Sequence, residues 1–356
     1  MSESKTVCVV LGDDASPEVV VPTVRILEQM GLPINFSWAV TGEEALARYG
    51  DVFPPDAKRA IDEADCSIMG STRSIHGVHG YLRWGKQCYA NVRPARYFQG
   101  LKSAHKNPAG IDFVIVRENT EGLYPAGWEG DISQLRPLGL VNEKLDLALD
   151  TEQQGRFAIK ITTEKGTKRA CRSACMLALD RKRKGYPGAV TVASKYNALS
   201  SDEMFRRIAE ETCAEFPELS FNSMIIDNFA HQMVLYPHSL DVVVMSNEYG
   251  DILADGAAAL VGGLGVAPNS CIGDDYAYFG SVHGTAPDIV GLNVINPTAM
   301  ILGAAMMLDY LGFAEAAAKL EAGVHQAYAR GDCLTRDQGG SASTTDFCDY
   351  VARLCV

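Results

Sequence analysis

The 356-residue sequence lacks a hydrophobic run that could cross a membrane, since its longest apolar stretches are broken by Gly, Asp or Pro before about 18 residues. Its first residues lead straight into a predicted strand and do not have the architecture of a signal peptide. None of its ten cysteines forms a CxxC pair, and the two closest, Cys171 and Cys175, fall on a predicted helix where they pack. These features exclude a disulfide framework and disfavour a zinc site. We therefore expect a cytoplasmic protein with no membrane partner.

An excess of basic residues is also missing. The net charge of −12 argues against a nucleic-acid partner. It leaves a small anionic substrate open, because local arginines override the overall field. With 47% hydrophobic and 21% charged residues, the chain supports a large core in one big or two moderate domains.

A Gly-x-Gly-x-x-Gly fingerprint is missing after the first predicted strand, residues 6–12. Predicted strands and helices nevertheless alternate along the chain, which is typical of an α/β protein with a mixed, mainly parallel sheet. The sequence therefore predicts an α/β fold that is not a standard Rossmann fold.

Cations are concentrated between residues 70 and 96, and Arg117 follows the next predicted strand. Arg93 and Arg117 are expected at the ends of strands, where ligands bind in sheets of this class. Guanidinium groups pair bidentately with carboxylates, so these residues predict an anion site. The alternative is that each arginine is an ordinary surface residue.

Asp251 and Asp255 follow a predicted buried strand, residues 240–245. Their spacing puts both carboxylates on one face of a helix, where they repel each other unless a cation offsets the charge. A hard divalent ion such as Mg²⁺ or Mn²⁺ suits such oxygens, and a solvated acidic face is the alternative. Lys195 and Asp227 also follow strands. The alternative for Lys195 is an ordinary surface lysine, and the alternative for Asp227 is a helix cap.

Several motifs in this order resemble those of the metal-dependent β-decarboxylating dehydrogenases, the isocitrate, homoisocitrate and 3-isopropylmalate dehydrogenases. The resemblance covers nearly the whole chain. Its motifs are Leu82-Arg83, Asn91-Val92-Arg93-Pro94, Arg117-Glu118-Asn119-Thr120-Glu121-Gly122-Leu123-Tyr124, Lys195-Tyr196-Asn197, Ile226-Asp227-Asn228, Gly250-Asp251-Ile252-Leu253-Ala254-Asp255, His283-Gly284-Thr285-Ala286-Pro287-Asp288 and Asn296-Pro297-Thr298-Ala299.

The resemblance implies an isopropylmalate/isocitrate dehydrogenase-like two-domain fold. A large discontinuous domain would comprise residues 1–98 and 250–356, and a small domain with a dimerisation arm would comprise residues 99–249. It also implies a homodimer with active sites shared between subunits. The alternative is a tetramer formed from two such dimers.

The resemblance further implies the roles of individual residues. Tyr124 and Lys195 would be catalytic, Lys195 taking the proton of the substrate hydroxyl and Tyr124 protonating the carbon left after CO₂ departs. Asp227, Asp251 and Asp255 would hold Mg²⁺ or Mn²⁺, with Asp227 and Lys195 coming from the partner subunit. The substrate-binding residues would be Arg73, His76, His79, Arg83, Arg93, Arg117 and Asn197.

The cofactor implied is NAD. Asp288 would accept hydrogen bonds from the ribose hydroxyls and repel the 2′-phosphate of NADP. The other cofactor-binding residues would be Thr72, His283, Gly284, Thr285, Ala286, Asn296 and Asp337.

Three segments depart from the family pattern. The first loop lacks two glycines, with Asp14 and Ser16 in their places, and Gly280 stands where a glutamate is usual. Around residues 71–81 the leucines of isopropylmalate enzymes are absent. We expect Arg73 to meet a distal carboxylate and His76 and His79 to make the pocket cationic. The leading prediction is therefore oxidation and decarboxylation of homoisocitrate or isocitrate. The alternatives are a phosphonate analogue such as 3-phosphonomethylmalate and a catalytically silent regulatory subunit.

Overall fold

The computed structural model describes residues 4–73, 77–124 and 128–355. Its central element is a ten-stranded sheet. The strands of this sheet are β1 (Lys5–Val10), β2 (Ile34–Ala39), β3 (Cys66–Met69), β4 (Ala90–Arg96), β5 (Asp112–Glu118), β10 (Ala189–Ser194), β11 (Ser220–Ile225), β12 (Val242–Met245), β13 (Pro268–Ile272) and β14 (Ala277–Ser281). Two short antiparallel pairs lie outside it, β6 (Glu129–Asp131) with β9 (Arg156–Ala158) and β7 (Val141–Asn142) with β8 (Leu147–Ala148).

The strand order is β11-β10-β12-β5-β4-β13-β14-β3-β1-β2. Neighbouring strands are parallel except at β4–β5, β4–β13 and β13–β14. Strands such as β3 and β12 are buried along their whole length, as expected for parallel strands covered on both faces. The predicted α/β class and the mixed, mainly parallel sheet are confirmed.

Helices cover the sheet: α1 (Pro17–Gln29), α2 (Gly42–Tyr49), α3 (Pro55–Asp62), α4 (Val78–Gly80), α5 (Glu164–Arg183), α6 (Ser200–Cys213), α7 (Ile226–Leu235), α8 (Asn247–Val261), α9 (Thr298–Tyr310), α10 (Ala314–Arg330) and α11 (Thr344–Cys355). Local chemistry explains where several begin. Pro17 opens α1 with its fixed φ, and the Thr163 hydroxyl caps α5 by accepting from the amide of Gly166 at 3.0 Å.

Buried apolar side chains form clusters on the two halves of the sheet. Two clusters draw on residues 7–101 and 266–355, and two others draw on residues 89–261. The sheet itself is continuous, with β4 and β13 joining the halves. The domain boundaries at 98/99 and 249/250 therefore stay a prediction.

The position of Arg93 differs from the sequence-based expectation. It is the fourth of the seven residues of β4, not the residue at its end. The expectation assumed a parallel strand, but β4 is antiparallel to both of its neighbours, and Arg93 lies opposite Ile115 of β5. Arg117 does lie near the end of its strand, opposite Asn91. The two arginines meet because antiparallel pairing brings the middle of β4 beside the end of β5.

All ten cysteines are free, and Cys171 and Cys175 are buried in α5 as predicted. Within the described residues, no helix has the length and apolar character needed to span a bilayer.

Candidate active site

A cavity of about 340 Å³ lies where β4, β5, β14 and α8 meet the loop that follows β3. It gathers many of the residues singled out in the sequence. Those that line it are Thr72, His79, Arg83, Arg93, Arg117, Tyr124, Asp251, His283 and Gly284. Asn91, Asn119, Tyr278, Gly280 and Ser281 also line it. His76 lies outside the described residues.

The charge of the aspartate pair on α8 is offset by arginines. Arg93 donates through Nη2 to Asp251 Oδ1 at 3.0 Å and through Nη1 to Asp255 Oδ1 at 3.3 Å. Arg117 also pairs with Asp251. In the free chain, two arginines from neighbouring strands supply the counter-charge, and the divalent metal stays a prediction.

Arg117 is held by a residue that the sequence analysis did not single out. The side-chain oxygen of Asn247, the first residue of α8, accepts from Arg117 Nη2 at 2.6 Å and from Nε at 3.2 Å. A Cβ at Gly250 would lie 2.6 Å from Arg117 Cβ, so a glycine is required for this strand and helix to approach. Asn247 and Gly250 both belong to the first turn of α8, close to the metal-ligand candidates.

Burial and mutual repulsion perturb the charged groups of the cavity. Burial and the neighbouring Arg93 charge lower the pKa of Arg117 to about 10, which still leaves it protonated at neutral pH. Burial raises the pKa of Asp255, and the Arg93 charge opposes that shift. The site is therefore a network of charges in which each arginine limits the repulsion between aspartates.

Arg83 lines the cavity with a guanidinium group that is only partly hydrogen-bonded among the described residues. Its Nε donates to the backbone oxygen of Asn119, and its guanidinium lies 5.0 Å from the centre of the Trp84 ring. Its Nη2 is buried and has no hydrogen-bond partner among the described residues. Burial also lowers the pKa of Arg83. A buried, unpaired guanidinium donor in a cavity is costly unless a ligand accepts from it.

The charge state of His79 differs from the sequence-based expectation of a cationic side chain. Burial, followed by the charges of Arg83, Arg117 and Arg93, lowers the pKa of His79 to about 4. Its ring packs edge-on against Tyr278, with 6.2 Å between ring centres. His79 is therefore neutral at physiological pH and presents a polar, uncharged edge to the cavity.

Arg73 does not line the cavity. Its guanidinium pairs with Asp14 and Glu43, with Nε 2.8 Å from Asp14 Oδ2, and its backbone amide donates to Asp13 Oδ2 at 2.9 Å. Asp14 has the left-handed φ of 55° at a position where the family has glycine. Asp14 therefore adopts a conformation that favours glycine, and it adds an ion pair that occupies Arg73.

Lys195 and Asp227 form an ion pair with each other, away from the residues that line the cavity. Lys195 follows β10, and Asp227 is the second residue of α7. Asn197 is exposed nearby. Within one chain, these three candidates are not brought to Asp251 and Tyr124.

The donor set on one chain fits part of a divalent-cation site. Asp251 and Asp255 offer hard carboxylate oxygens on one face of α8, with side chains 38% and 53% exposed. Within the described residues, no three His, Cys, Asp or Glu side chains converge to hold a metal. The remaining ligands of an octahedral ion would have to come from substrate, water or a second copy.

The cofactor candidates fall into two groups. The loop that carries His283 to Ala286 lies against the first loop, where the amide of Ala15 donates to Thr285 O at 3.0 Å. Asp288 is exposed in the following turn, Pro287–Ile289. Asn296 and Asp337 form a second group, because Asn296 Nδ2 donates to Asp337 Oδ2 at 2.9 Å. Asn296 Oδ1 also accepts from the amide of Thr298, the first residue of α9, at 3.0 Å.

The missing glutamate at position 280 has a steric explanation. A Cβ on Gly280 would lie 2.3 Å from the backbone oxygen of Met69 in β3. Helix α9 also packs closely against β14, since a Cβ at Gly303 would lie 2.5 Å from Gly280 O. No side chain fits at Gly280 without moving β3 or β14. Ser281, the next residue, has a buried hydroxyl without a hydrogen-bond partner among the described residues, and it lines the cavity.

Comparison with known proteins decides the family. The protein-family model described as isocitrate/isopropylmalate dehydrogenase matches residues 6–351. The chain belongs to this family. It is 38% identical over 349 residues to the 3-isopropylmalate/3-methylmalate dehydrogenase of Methanocaldococcus jannaschii, with 98% of each chain covered. It is 39% identical over 353 residues to the isocitrate/homoisocitrate dehydrogenase of Thermus thermophilus, with 97% of each covered.

Solved structures agree with this assignment. The isocitrate dehydrogenase of Methylococcus capsulatus superposes with a TM-score of 0.84 at 31% identity, and the match covers 99% of both chains. Members of the family are decarboxylating dehydrogenases that use NAD or NADP and a divalent metal. The names of the relatives divide among isocitrate, homoisocitrate, isopropylmalate and methylmalate, so they do not select one substrate.

Proposed function

We propose that the chain catalyses the NAD-dependent oxidative decarboxylation of a (2R,3S)-type 3-carboxy-2-hydroxy acid, homoisocitrate or isocitrate in kind, to a 2-oxo acid, CO₂ and NADH. The observation that carries this proposal is the cavity itself, where Arg83, Arg93 and Arg117 face one small space beside Asp251. Planar carboxylates are the natural partners of such a set of forked donors.

Substrate binding would use the arginines unequally. Arg83 has a buried donor that has no partner among the described residues and could donate to a carboxylate oxygen. Arg93 and Arg117 are engaged with Asp251, so they would exchange that partner for the substrate. Because each guanidinium has several donors, this exchange need not leave a buried charge unpaired.

The proton steps require a base and an acid. Lys195 of a second copy would accept the proton of the C2 hydroxyl as hydride passes from C2 to the nicotinamide. After the bond to the C3 carboxylate breaks and CO₂ departs, the Tyr124 hydroxyl would return a proton to C3. Tyr124 lines the cavity and is 37% exposed, which lets it re-equilibrate its proton with solvent.

Asp251 and Asp255, with Asp227 of a second copy, would hold Mg²⁺ or Mn²⁺. When bound, such an ion supplies Lewis-acid stabilisation of the negative charge that develops on the C2 oxygen. The Lys195–Asp227 ion pair would bring the base and the third ligand to the site together.

Exposed apolar side chains close in sequence to Asp227 and Asp251, which one chain does not bring together, support the homodimer in this proposal. Val234, Leu235 and Tyr236 end α7 after Asp227, and Ile252 of α8 stands next to Asp251, each at least 49% exposed. Leu138, Leu145 and Leu147 of the segment between β6 and β9 are also more than 60% exposed. Exposed apolar groups of this kind mark protein–protein contacts. Measurement of mass in solution distinguishes a dimer from a tetramer.

The choice of NAD rests on Asp288. Its exposed carboxylate suits the two hydroxyls of an unmodified ribose and repels a 2′-phosphate. We expect a higher kcat/KM with NAD than with NADP, and Asp288→Lys should shift this ratio toward NADP. A wild-type preference for NADP would overturn the assignment.

The group attached to C3 would meet an uncharged part of the cavity. His79 is neutral, Arg73 is paired with Asp14 and Glu43, and the Ser281 hydroxyl has no partner among the described residues. A dianionic phosphonate would need more positive charge than this, so the phosphonate alternative loses support. A distal carboxylate or a small polar group needs less compensation.

A substrate panel tests the proposal. Formation of NADH is followed by absorbance with Mg²⁺ or Mn²⁺ and isocitrate, homoisocitrate, 3-isopropylmalate, 3-methylmalate, malate, tartrate or 3-phosphonomethylmalate. We expect the highest kcat/KM with homoisocitrate or isocitrate. Arg83→Gln should lower kcat/KM by about 10²-fold or more, because it removes a buried charge-assisted contact. The matched control is Arg96→Gln, whose side chain pairs with Asp112 and Glu321 outside the cavity. No turnover of any compound would favour the silent-subunit alternative.

A further inference from the structure

A buried cluster of three charged side chains lies beside the cavity without lining it. Lys160 Nζ is 2.8 Å from Asp202 Oδ1 and 2.7 Å from Glu248 Oε1. The side chains of Lys160, Asp202 and Glu248 are 16%, 1% and 10% exposed. The ammonium also lies 4.6 Å from the centre of the Tyr249 ring, which favours a cation.

Lys160 stays protonated in this cluster. Burial alone would lower the pKa of Lys160, but the hydrogen bonds with Asp202 and Glu248 outweigh it and raise that pKa. One ammonium therefore stands between two carboxylates. The second oxygen of Glu248 is buried and has no hydrogen-bond partner among the described residues. Apolar residues of similar volume often stabilise a fold as well as a buried ion cluster does, so stability alone does not explain these charges.

Asp202 joins the cluster to the predicted base. Its Oδ2 accepts from the backbone amide of Lys195 at 2.8 Å, and its own backbone oxygen accepts from the Ser194 hydroxyl at 3.3 Å. These bonds hold the chain where it leaves β10. Asp202, in the first turn of α6, therefore fixes the point from which the Lys195 side chain projects.

Glu248 and Lys160 join the cluster to other parts of the site. Glu248 lies in the first turn of α8, between Asn247, which holds Arg117, and Asp251. Ile161, next to Lys160, exchanges two backbone hydrogen bonds with Gly122, at 2.8 and 3.0 Å. Gly122 lies two residues before Tyr124. The segments that carry the predicted base, the metal-ligand helix and the predicted acid therefore meet at this cluster.

We infer that Lys160, Asp202 and Glu248 are positioning residues that hold Lys195 in fixed relation to α8 and to the loop of Tyr124 of its own chain, from which Lys195 would reach the site of the second copy. The inference rests on the proposed function for the roles of Lys195 and Tyr124. None of the three touches the reacting atoms. Each acts through the backbone or helix that it anchors.

The main test uses variants of Lys160. Lys160→Met removes the ammonium, and Lys160→Arg restores a positive charge. We expect Lys160→Met to lower kcat by about 10- to 100-fold, because small misplacements of reacting groups have effects of this size, with KM for both substrates within about twofold of wild type. Lys160→Arg should recover most of kcat. The matched control is Lys168→Met, which removes an exposed ammonium paired with Glu215 and should leave kcat unchanged.

A second variant and a second measurement keep the test decisive. Should Lys160→Met fail to fold because it leaves two carboxylates buried, the double variant Lys160→Met/Glu248→Leu removes one of them and should show the same fall in kcat. Amide hydrogen exchange of the peptide that spans residues 194–199 should be faster than wild type in either variant. A variant with lower thermal stability but unchanged kcat and exchange would overturn the inference, as would a change confined to KM. If wild type turns over none of the panel, the proposed function fails, and the exchange measurement alone decides whether the cluster holds Lys195.

Discussion

Arg93 and Asp251 form an ion pair of 3.0 Å between the middle of β4 and the first turns of α8. Arg117 pairs with the same carboxylate from the neighbouring strand. The groups proposed to bind substrate and the groups proposed to bind metal therefore neutralise each other in the free chain. Binding of either ligand has to break this pairing, and that has a measurable consequence.

We expect substrate and Mn²⁺ to strengthen each other's binding. A substrate carboxylate that takes Arg93 and Arg117 frees Asp251 for the ion, and the ion in turn frees the arginines. Because linkage is reciprocal, the affinity for Mn²⁺ should rise about 5- to 100-fold when the best substrate of the panel is present without NAD. Calorimetric or electron paramagnetic resonance titrations with Mn²⁺ measure this.

Variants of the arginines sharpen that measurement. Arg93→Ala should bind Mn²⁺ more tightly than wild type in the absence of substrate, and it should show a smaller effect of substrate, because a competitor for Asp251 and Asp255 is gone. Arg96→Ala, whose partners lie elsewhere, should behave as wild type. Equal Mn²⁺ affinity with and without a substrate that does bind would contradict the prediction.

Arg73 should act on the cofactor loops and not on one class of substrate. Its removal leaves the Asp14 carboxylate without its guanidinium partner, at a loop whose Ala15 amide bonds to Thr285. We expect Arg73→Ala to raise KM for NAD several-fold and to lower kcat/KM by a similar factor for every hydroxy acid that the enzyme accepts.

A double-mutant cycle tests the ion pair between Arg73 and Asp14. Asp14→Asn should have a similar effect to Arg73→Ala, and the double variant should be no worse than Arg73→Ala, because both single variants remove the contact between these two side chains. A loss confined to substrates with a charged group on C3 would instead restore the role predicted from the sequence.

The order and type of most elements could be predicted because their patterns are strong. The strand predicted at residues 240–245 is β12 (Val242–Met245), and the helix predicted around Cys171 and Cys175 is α5 (Glu164–Arg183). The strand has a short apolar run, and the helix has a threonine cap and a basic end. Arg83, Arg93, Arg117, Tyr124 and Asp251 were predicted as one site, and they line one cavity. These predictions depended on local patterns and on motifs that recur in a family.

The errors share a physical origin in contacts between distant residues. The place of Arg93 in its strand depends on the antiparallel pairing of β4, which the alternation of strands and helices does not reveal. The partners of Arg73 are Glu43 in α2 and Asp14 in the first loop, 30 and 59 residues away in sequence. The charge state of His79 depends on burial among three arginines. None of these is encoded within a short window of sequence.

Gly280 should be intolerant of any side chain. A methyl group there would lie 2.3 Å from Met69 O in β3. On the other side, Gly303 of α9 already packs closely against Gly280. We expect Gly280→Ala to lower the free energy of unfolding by about 1–3 kcal/mol, as overpacking of a rigid interior does. Chemical denaturation measures it, and Gly284→Ala is the control, since a Cβ there meets nothing within 4 Å. Unchanged stability of Gly280→Ala would show that β3 and β14 can separate at this point.

His79 should make the fold less stable as the pH falls through the mildly acidic range. In the unfolded chain it takes up a proton near its ordinary pKa of 6.5, whereas in the folded chain it resists protonation down to about pH 4. The unfolded state therefore binds more protons between these values, and stability falls as the pH is lowered from 6.5 toward 4. The largest possible loss from this one group is about 3 kcal/mol. Burial also lowers the pKa of His283, which contributes in the same direction.

The variant His79→Gln isolates this contribution. It keeps a polar side chain but cannot take up a proton, so its stability should fall less steeply over that range than the stability of wild type. The measurement is urea denaturation at pH 7.0, 6.0, 5.0 and 4.5 with a chelator present, so that no metal alters the charges of the site. His238→Gln, which replaces an exposed histidine whose Nε2 lies 3.1 Å from Ala109 O, should retain the wild-type slope. Parallel curves for wild type and His79→Gln would show that His79 is not buried among the arginines in the neutral form.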